Sequence, residues 1–183
     1  AFLKIGRDGR VIVAVPQTEI GQGVYTTLPQ ILADELGADW RTVAVEPAPV
    51  GPLYANLLLA QDSSEDSAFP SALGIGRWAA RHYATREALM VTAGPTSVRA
   101  FEAPLREAGA AARALLSKAA ARRWDVDWRE LDTRDGFVWN EGNRIAFAEL
   151  AETAAEEGLP GHLPVRGGVV PPLVGRALPR LGV

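Results

Sequence analysis

The chain contains no cysteine. That excludes disulfides, thiolate metal sites, iron–sulfur ligation by this chain and a cysteine nucleophile, and it leaves the redox compartment open. No run of about eighteen apolar residues occurs, so no segment reads as a membrane-spanning helix. A surplus of one charge sign is missing too. The net charge of −3 provides no footprint for nucleic acid or for an anionic membrane surface. Histidine is scarce: His82 and His162 are isolated and far apart, which speaks for surface or packing roles over a metal site. Serines are plentiful, but none lies in a nucleophile-elbow pattern.

What is present suits an ordinary globular domain. The 183 residues are 48% apolar and 22% charged, enough for one good core with an irregular extension. "AFLKI" and "RVIVAV" flank Gly6-Arg7-Asp8-Gly9, whose Asp-Gly pair signals a hairpin. Apolar positions at Val24, Leu28, Ile31, Leu32 and Leu36, with Gly37 as the stop, predict a helix carrying Pro29 in its first turn. "RTVAVEPAPV" alternates as a strand. Residues 48–71 read as a loop, and a helix is expected within 72–91.

A second loop, "TAGPTSVRA", leads into the clearest helix. Phe101, Leu105, Ala108, Ala112, Leu115, Leu116 and Ala119 form its apolar face, with Pro104 expected in the first turn. So many small residues along it imply a closely packed second backbone layer. "DTRDGFVWNEGNRIAF" predicts short strands turning at Asn140-Glu141-Gly142-Asn143, and "AELAETAAEE" an amphipathic helix. The expectation is an α+β, two-layer domain with a mixed sheet and β-β-α-β-α-β order over residues 1–157. Residues 158–183, rich in proline and glycine, are expected to lie over another surface or to serve as a linker. The start at Ala1 and the end at "ALPRLGV" suggest a piece of something longer.

Two junctions place a polar, backbone-exposing loop at a helix N-terminus. At Gly21-Gln22-Gly23 the glycines let a ligand approach the main chain, and the Gln22 amide suits an uncharged heterocycle as well as an anion. At Thr92 to Arg99, the Thr96 and Ser97 hydroxyls either cap the helix or hold phosphate oxygens with Arg99. Against these stands the plain alternative of a tight turn and a cap. Glu19 is a candidate base, though a strand-end carboxylate more commonly bonds nearby N–H groups. Asp62, Glu65, Asp66, Glu156 and Glu157 read as solvated charges, and Trp40, Trp78, Trp124, Trp128 and Trp139 as core and edge packing. The residues alone describe a holder and not a reactor.

"EIGQGVYT", the following "LADELGADWRTVAVEPAPVGPLYAN" and the later "TAGPTS" together resemble the molybdopterin-binding subunit of the xanthine dehydrogenase and aldehyde oxidase superfamily. The likeness is greatest to the isoquinoline 1-oxidoreductase beta-subunit branch. It implies the first part of a large subunit that binds molybdopterin, as its cytosine dinucleotide, jointly with segments not found in this sequence. It implies as partners the remainder of that subunit and a [2Fe-2S] small subunit, no nucleic acid and no membrane span, and a periplasmic or cytoplasmic place. The residues carried over are Gly21, Gln22 and Gly23 toward the pterin, and Thr96, Ser97, Val98 and Arg99 toward the dinucleotide end. Catalytic residues and metal ligands are not expected in this chain. Ala93 and Pro95 depart from the family loop, and Pro95 lacks an N–H, which removes one phosphate donor. Residues 55–90 also match the family pattern poorly.

Overall fold

The computed structural model describes residues 1–60, 75–166, 173 and 176–182. Strands β1 (Leu3–Ile5) and β2 (Val11–Val15) form the expected hairpin. Its turn closes through Gly9 N–H to Gly6 O (3.0 Å), with Gly9 at φ +82°. Helix α1 (Val24–Leu36) crosses over and returns the chain to β3 (Val43–Pro47), which pairs parallel to β2. The sheet order is β1-β2-β3, antiparallel then parallel, so the mixed sheet expected from sequence is present. Val11, Val13 and Val15 line one face of β2 and bury against α1.

After the parallel return come α2 (Ile75–Arg86) and α3 (Ser97–Trp124). Then follow a meander of β4 (Asp132–Arg134), β5 (Phe137–Asn140) and β6 (Asn143–Ala146), and α4 (Phe147–Ala155). The described order is therefore β-β-α-β-α-α-β-β-β-α, in place of β-β-α-β-α-β. Two causes lengthen it. Ala88, at φ +48°, ends α2 before α3 begins, and the Asp135-Gly136 pair, both at positive φ, turns β4 into β5. The second turn, at Asn140 to Asn143, sits where the sequence places it. Residues 57–60 form a turn of helix within the expected loop, and residues 61–74 lie outside the described part.

α3 packs along α1 and then α4 along α3. The small residues of α3 serve that contact. A Cβ built on Gly109 would come within 2.9 Å of Leu32 O and of the Glu35 Cβ. Both helical prolines stand deeper than expected. α1 begins at Val24 and α3 at Ser97, so Pro29 and Pro104 lie inside their helices and deprive the carbonyls of Tyr25 and Ala100 of the usual helical donor. Burial of Leu28 and Leu32 around the first, and of Phe101 and Leu105 around the second, offsets that loss. The described part of the tail lies on the body. Trp40 Nε1 donates to Pro179 O (3.1 Å), and Leu181 N–H to Thr26 Oγ1 (3.1 Å).

Candidate functional site

The loop between β2 and α1 is a closed hydrogen-bonded unit. Glu19 reaches across it. Its Oε1 accepts from the N–H groups of Gly21 (2.8 Å) and Gly23 (2.9 Å), and its Oε2 from that of Tyr25 (2.9 Å). The positive end of α1 is thus met by a carboxylate of the chain itself. These bonds, Tyr25 first and Gly23 next, hold the Glu19 carboxyl below its ordinary pKa. A bonded carboxylate is the fate anticipated for Glu19, and it leaves no free base here.

Gln22 is turned into the same loop. Its Oε1 accepts from Ile20 N–H (2.6 Å) and its Nε2 donates to Thr18 O (2.7 Å). One backbone donor and one backbone acceptor fix which way the amide faces. A second lone pair on Oε1 and a second N–H on Nε2 remain, on an exposed side chain. Both glycines have a conformational reason for being there, Gly21 at φ +99° and Gly23 at φ +84°. Around Gly21 the space is open: a Cβ placed there meets nothing within 4 Å.

The second loop is brought against the first. Thr18 N–H donates to Thr92 Oγ1 (2.8 Å), and Ser97 Oγ donates to the side-chain oxygen of buried Gln17 (2.9 Å). Thr96 is buried. It donates to Ala93 O (2.8 Å) and accepts from Asn56 Nδ2 (2.8 Å), which also donates to Val91 O (3.1 Å). Thr96 therefore occupies the N-cap position of α3 without capping it, a correction to the capping reading. The Ser97 hydroxyl goes to a bond between the two loops, and that of Thr96 to its own loop and to Asn56. Val98 and Arg99, in the first turn of α3, are exposed.

Sequence reading missed Gln17, which joins these loops through Ser97, and Asn56, which ties the second loop to residues 56–59. Their signal was weak, a lone amide beside each proline or glycine segment. It also missed a buried ionic cluster on α1. The Glu35 side chain is fully buried; its Oε1 accepts from Arg113 Nη2 (2.8 Å) and from Arg166 N–H (2.9 Å), and Arg106 stands 3.9 Å from its Oε2. Asp34, beside it, accepts from Leu173 N–H (2.9 Å), and burial raises its pKa against that bond.

Other expectations need correcting. Glu157 is covered and paired with Arg122 (2.9 Å) and is not a solvated charge. Trp78 is 66% exposed, stacked on His82, and packs in no core, because α2 lies on the outside of the fold. His162 lines a cavity of about 400 Å³ with Arg113, Ser117 and Trp128. Asp62, Glu65 and Asp66 lie outside the described residues. Among the described residues no cluster of three potential metal ligands occurs, and no helix is long and apolar enough to cross a membrane.

Comparison with known proteins gives the loop a context. Residues 1–49 match the molybdopterin cofactor-binding domain, a span that includes Gly21, Gln22 and Gly23 and stops short of Thr96 to Arg99. Over 163 residues, 89% of this chain, the sequence is 32% identical to isoquinoline 1-oxidoreductase subunit beta of Brevundimonas diminuta, covering 17% of that protein. Over 161 residues, 88% of this chain, it is 26% identical to the membrane-bound aldehyde dehydrogenase [pyrroloquinoline-quinone] of Gluconacetobacter polyoxogenes, covering 16% of it. The chain spans about a sixth of the length of these curated relatives.

Proposed function

We propose that this chain, homologous over most of its length to an isoquinoline 1-oxidoreductase beta subunit, is a cofactor-holding part of a molybdenum hydroxylase. The whole enzyme would oxidise an N-heterocycle or an aldehyde with oxygen from water, in company with the rest of a large subunit and an iron–sulfur subunit. The observation that carries the reading is Gln22. Two backbone bonds pin its amide, leaving one acceptor site and one N–H unused on an exposed side chain next to Gly21, where the space is open. That pair fits the edge of a neutral, fused heterocycle, and pinning it beforehand lowers the entropy cost of binding. The fit is to a ring edge more than to a phosphate, since Glu19 already takes the N–H groups of Gly21, Gly23 and Tyr25.

When bound, molybdopterin with its metal supplies the redox chemistry. The chain's own residues orient it. Gly21 and Gly23 keep the wall of the loop low, Gln22 reads the ring edge, and Glu19 keeps the loop in shape. Val98, Arg99 and the amide groups at the start of α3 are proposed for the dinucleotide end. The Ser97 hydroxyl acts there by tying this loop to Gln17 of the first, and the Thr96 hydroxyl by fixing the loop's own shape against Asn56.

One observation favours a second reading, a binding module with no cofactor: the loop is complete without a ligand, and both glycines are accounted for by φ alone. Molybdenum content and oxidised-pterin fluorescence of the native complex separate the two. Near-stoichiometric amounts of both are expected, and neither in an intact complex would leave the loop as a turn. Gln22→Ala should then lower cofactor retention about tenfold, the equivalent of one good hydrogen bond. Amide protection at Gly23 and Tyr25 should survive, because Glu19 and not Gln22 holds those groups.

A further inference from the structure

The cavity of about 400 Å³ beside His162 shares no residue with the Gly-Gln-Gly loop, and the packing around it explains why it is there. Arg113 and Lys118 of α3 hold the two ends of the segment that follows α4. Arg113 Nη2 donates to Pro164 O, and Lys118 Nζ to Gly158 O. Between those anchors α3 lends Ala114 and Ser117 to the lining, side chains too small to fill the space beside a segment fixed at both ends. The short helix Trp128–Glu130 and Leu131 supply a further wall. Pro160 and Pro164 stiffen the fixed segment. The volume falls within the span of small-molecule sites, roughly 300–1,000 Å³.

Its lining is one-sided in charge. Arg113, Arg129 and His162 contribute to it, and among the described residues no carboxylate does. Both arginines have a carboxylate partner outside the lining. Arg113 meets Glu35 through Nη2 (2.8 Å), and Arg129 meets Asp127 through Nη1 (3.2 Å). Each guanidinium keeps nitrogens that these pairs do not use. Arg113 Nε is buried without a hydrogen-bond partner, and Arg129 Nε and Nη2 make no hydrogen bond among the described residues. Arg129 also lies over the Trp128 ring, its Cζ 5.1 Å from the centroid, which sets the plane of its fork in advance. The Ser117 hydroxyl and the His162 ring add further hydrogen-bonding groups. What remains of the wall is apolar: Trp128, Leu131 and the two proline rings.

We propose that this cavity is a second ligand site, and that it takes a small aromatic carboxylate. The carboxylate meets the unused edge of the Arg129 fork, a planar match that arginine makes and a point charge does not. The ring lies among Trp128, Leu131 and the prolines. An inorganic phosphate would use the cations and leave the apolar walls bare, and a neutral heterocycle would fill the walls without using the charge. In that the site differs from the one at Gln22, whose pinned amide carries no charge. The inference goes beyond the cofactor reading and does not rest on it.

The test is photolabelling of the intact enzyme that contains this chain, with a benzoate bearing a photoreactive diazirine. Irradiation should mark peptides from residues 113–131 and 158–166, and excess naphthoate should remove that label. Naphthamide, of the same shape but uncharged, should protect at least about tenfold less well. Arg129→Gln should lower the label in these peptides about tenfold and leave label elsewhere in the enzyme unchanged. Asp127 accepts from the Arg129 backbone N–H (3.0 Å), so the turn holds whatever side chain stands there. His162→Ala, in an exposed position of the other wall, is an independent second variant and should lower the label severalfold. Absence of label from these peptides, label undiminished in either variant, or equal protection by the amide would each overturn the site. Metal and pterin content of the same preparations keep the two readings apart. A complex labelled as expected but lacking molybdopterin overturns the cofactor reading, while a replete complex without this label overturns the second site.

Discussion

Glu19 shows how one side chain sets the character of the loop. On folding it gains three N–H donors, all of which favour the ionised form and lower its pKa from the ordinary value of 4.5. The unfolded chain therefore binds the proton more readily, and stability rises with pH across the interval between the two values. The contribution is fully present above pH 4.5 and is lost as the pH falls below it toward the depressed value. Amide exchange at Gly21, Gly23 and Tyr25, corrected for intrinsic rate, should accelerate on acidification through that interval. In Glu19→Gln the Tyr25 bond is lost, so protection should be weaker throughout and should no longer depend on pH there. Unchanged acid sensitivity in that variant would assign the effect to another group.

At the scale of elements, close approach between backbones is the recurrent device, and glycine permits it. Gly109 lets α3 rest on Leu32 O and the Glu35 stem of α1. Gly109→Ala gains about 1 kcal/mol of helix propensity. The new Cβ meets a backbone oxygen that cannot move aside, which costs about 1–3 kcal/mol, so a net loss is expected in urea unfolding. Gly37 is the harsher case. It sits at φ +78° as the left-handed end of α1, and a Cβ there would lie 2.3 Å from Thr133 O. Strain and clash act together, so Gly37→Ala should destabilise by about 3 kcal/mol and always by more than Gly109→Ala. The reverse order would show that the meander yields more easily than the helix pair. Such contacts explain why the alanine-rich pattern of α3 was informative. Small residues leave a trace in composition, whereas the partner they admit leaves none.

On the scale of the whole molecule, Glu35 joins three distant parts of the chain. It meets α3 through Arg113 and the tail through Arg166, whose side chain goes on to Thr133 O (2.8 Å) and Asp132 (3.0 Å). Its second oxygen has no hydrogen bond, only Arg106 at ionic distance. Glu35→Gln would leave the largely buried Arg113 guanidinium without its counter-charge, at a cost of about 3 kcal/mol. The loss in the Glu35→Gln, Arg113→Met double variant should fall short of the sum of the single losses, since each removes the same pair. Additive losses by chemical denaturation would show that the two side chains act separately.

What the sequence determined by itself is local or periodic. The Asp-Gly and Asn-Glu-Gly-Asn turns, the apolar stripes of α1, α3 and α4, the Gly37 stop and the polar loops before two helices all follow from backbone preference and side-chain spacing within a few residues. The ordered motifs around Gly21 to Gly23 also pointed to the relatives that comparison then found. What only the tertiary structure decided depends on partners far along the chain. Glu35 is 78 residues from Arg113 and 131 from Arg166, and Thr18 is 74 from Thr92. No spacing rule reaches across such distances. The placement of Pro29 and Pro104 inside their helices, the bonding of the Thr96 hydroxyl to Asn56 and of Ser97 to Gln17, and the outward stack of Trp78 were settled there. A side chain's role is set by which surface folds against it, and that depends on the packing of the whole chain.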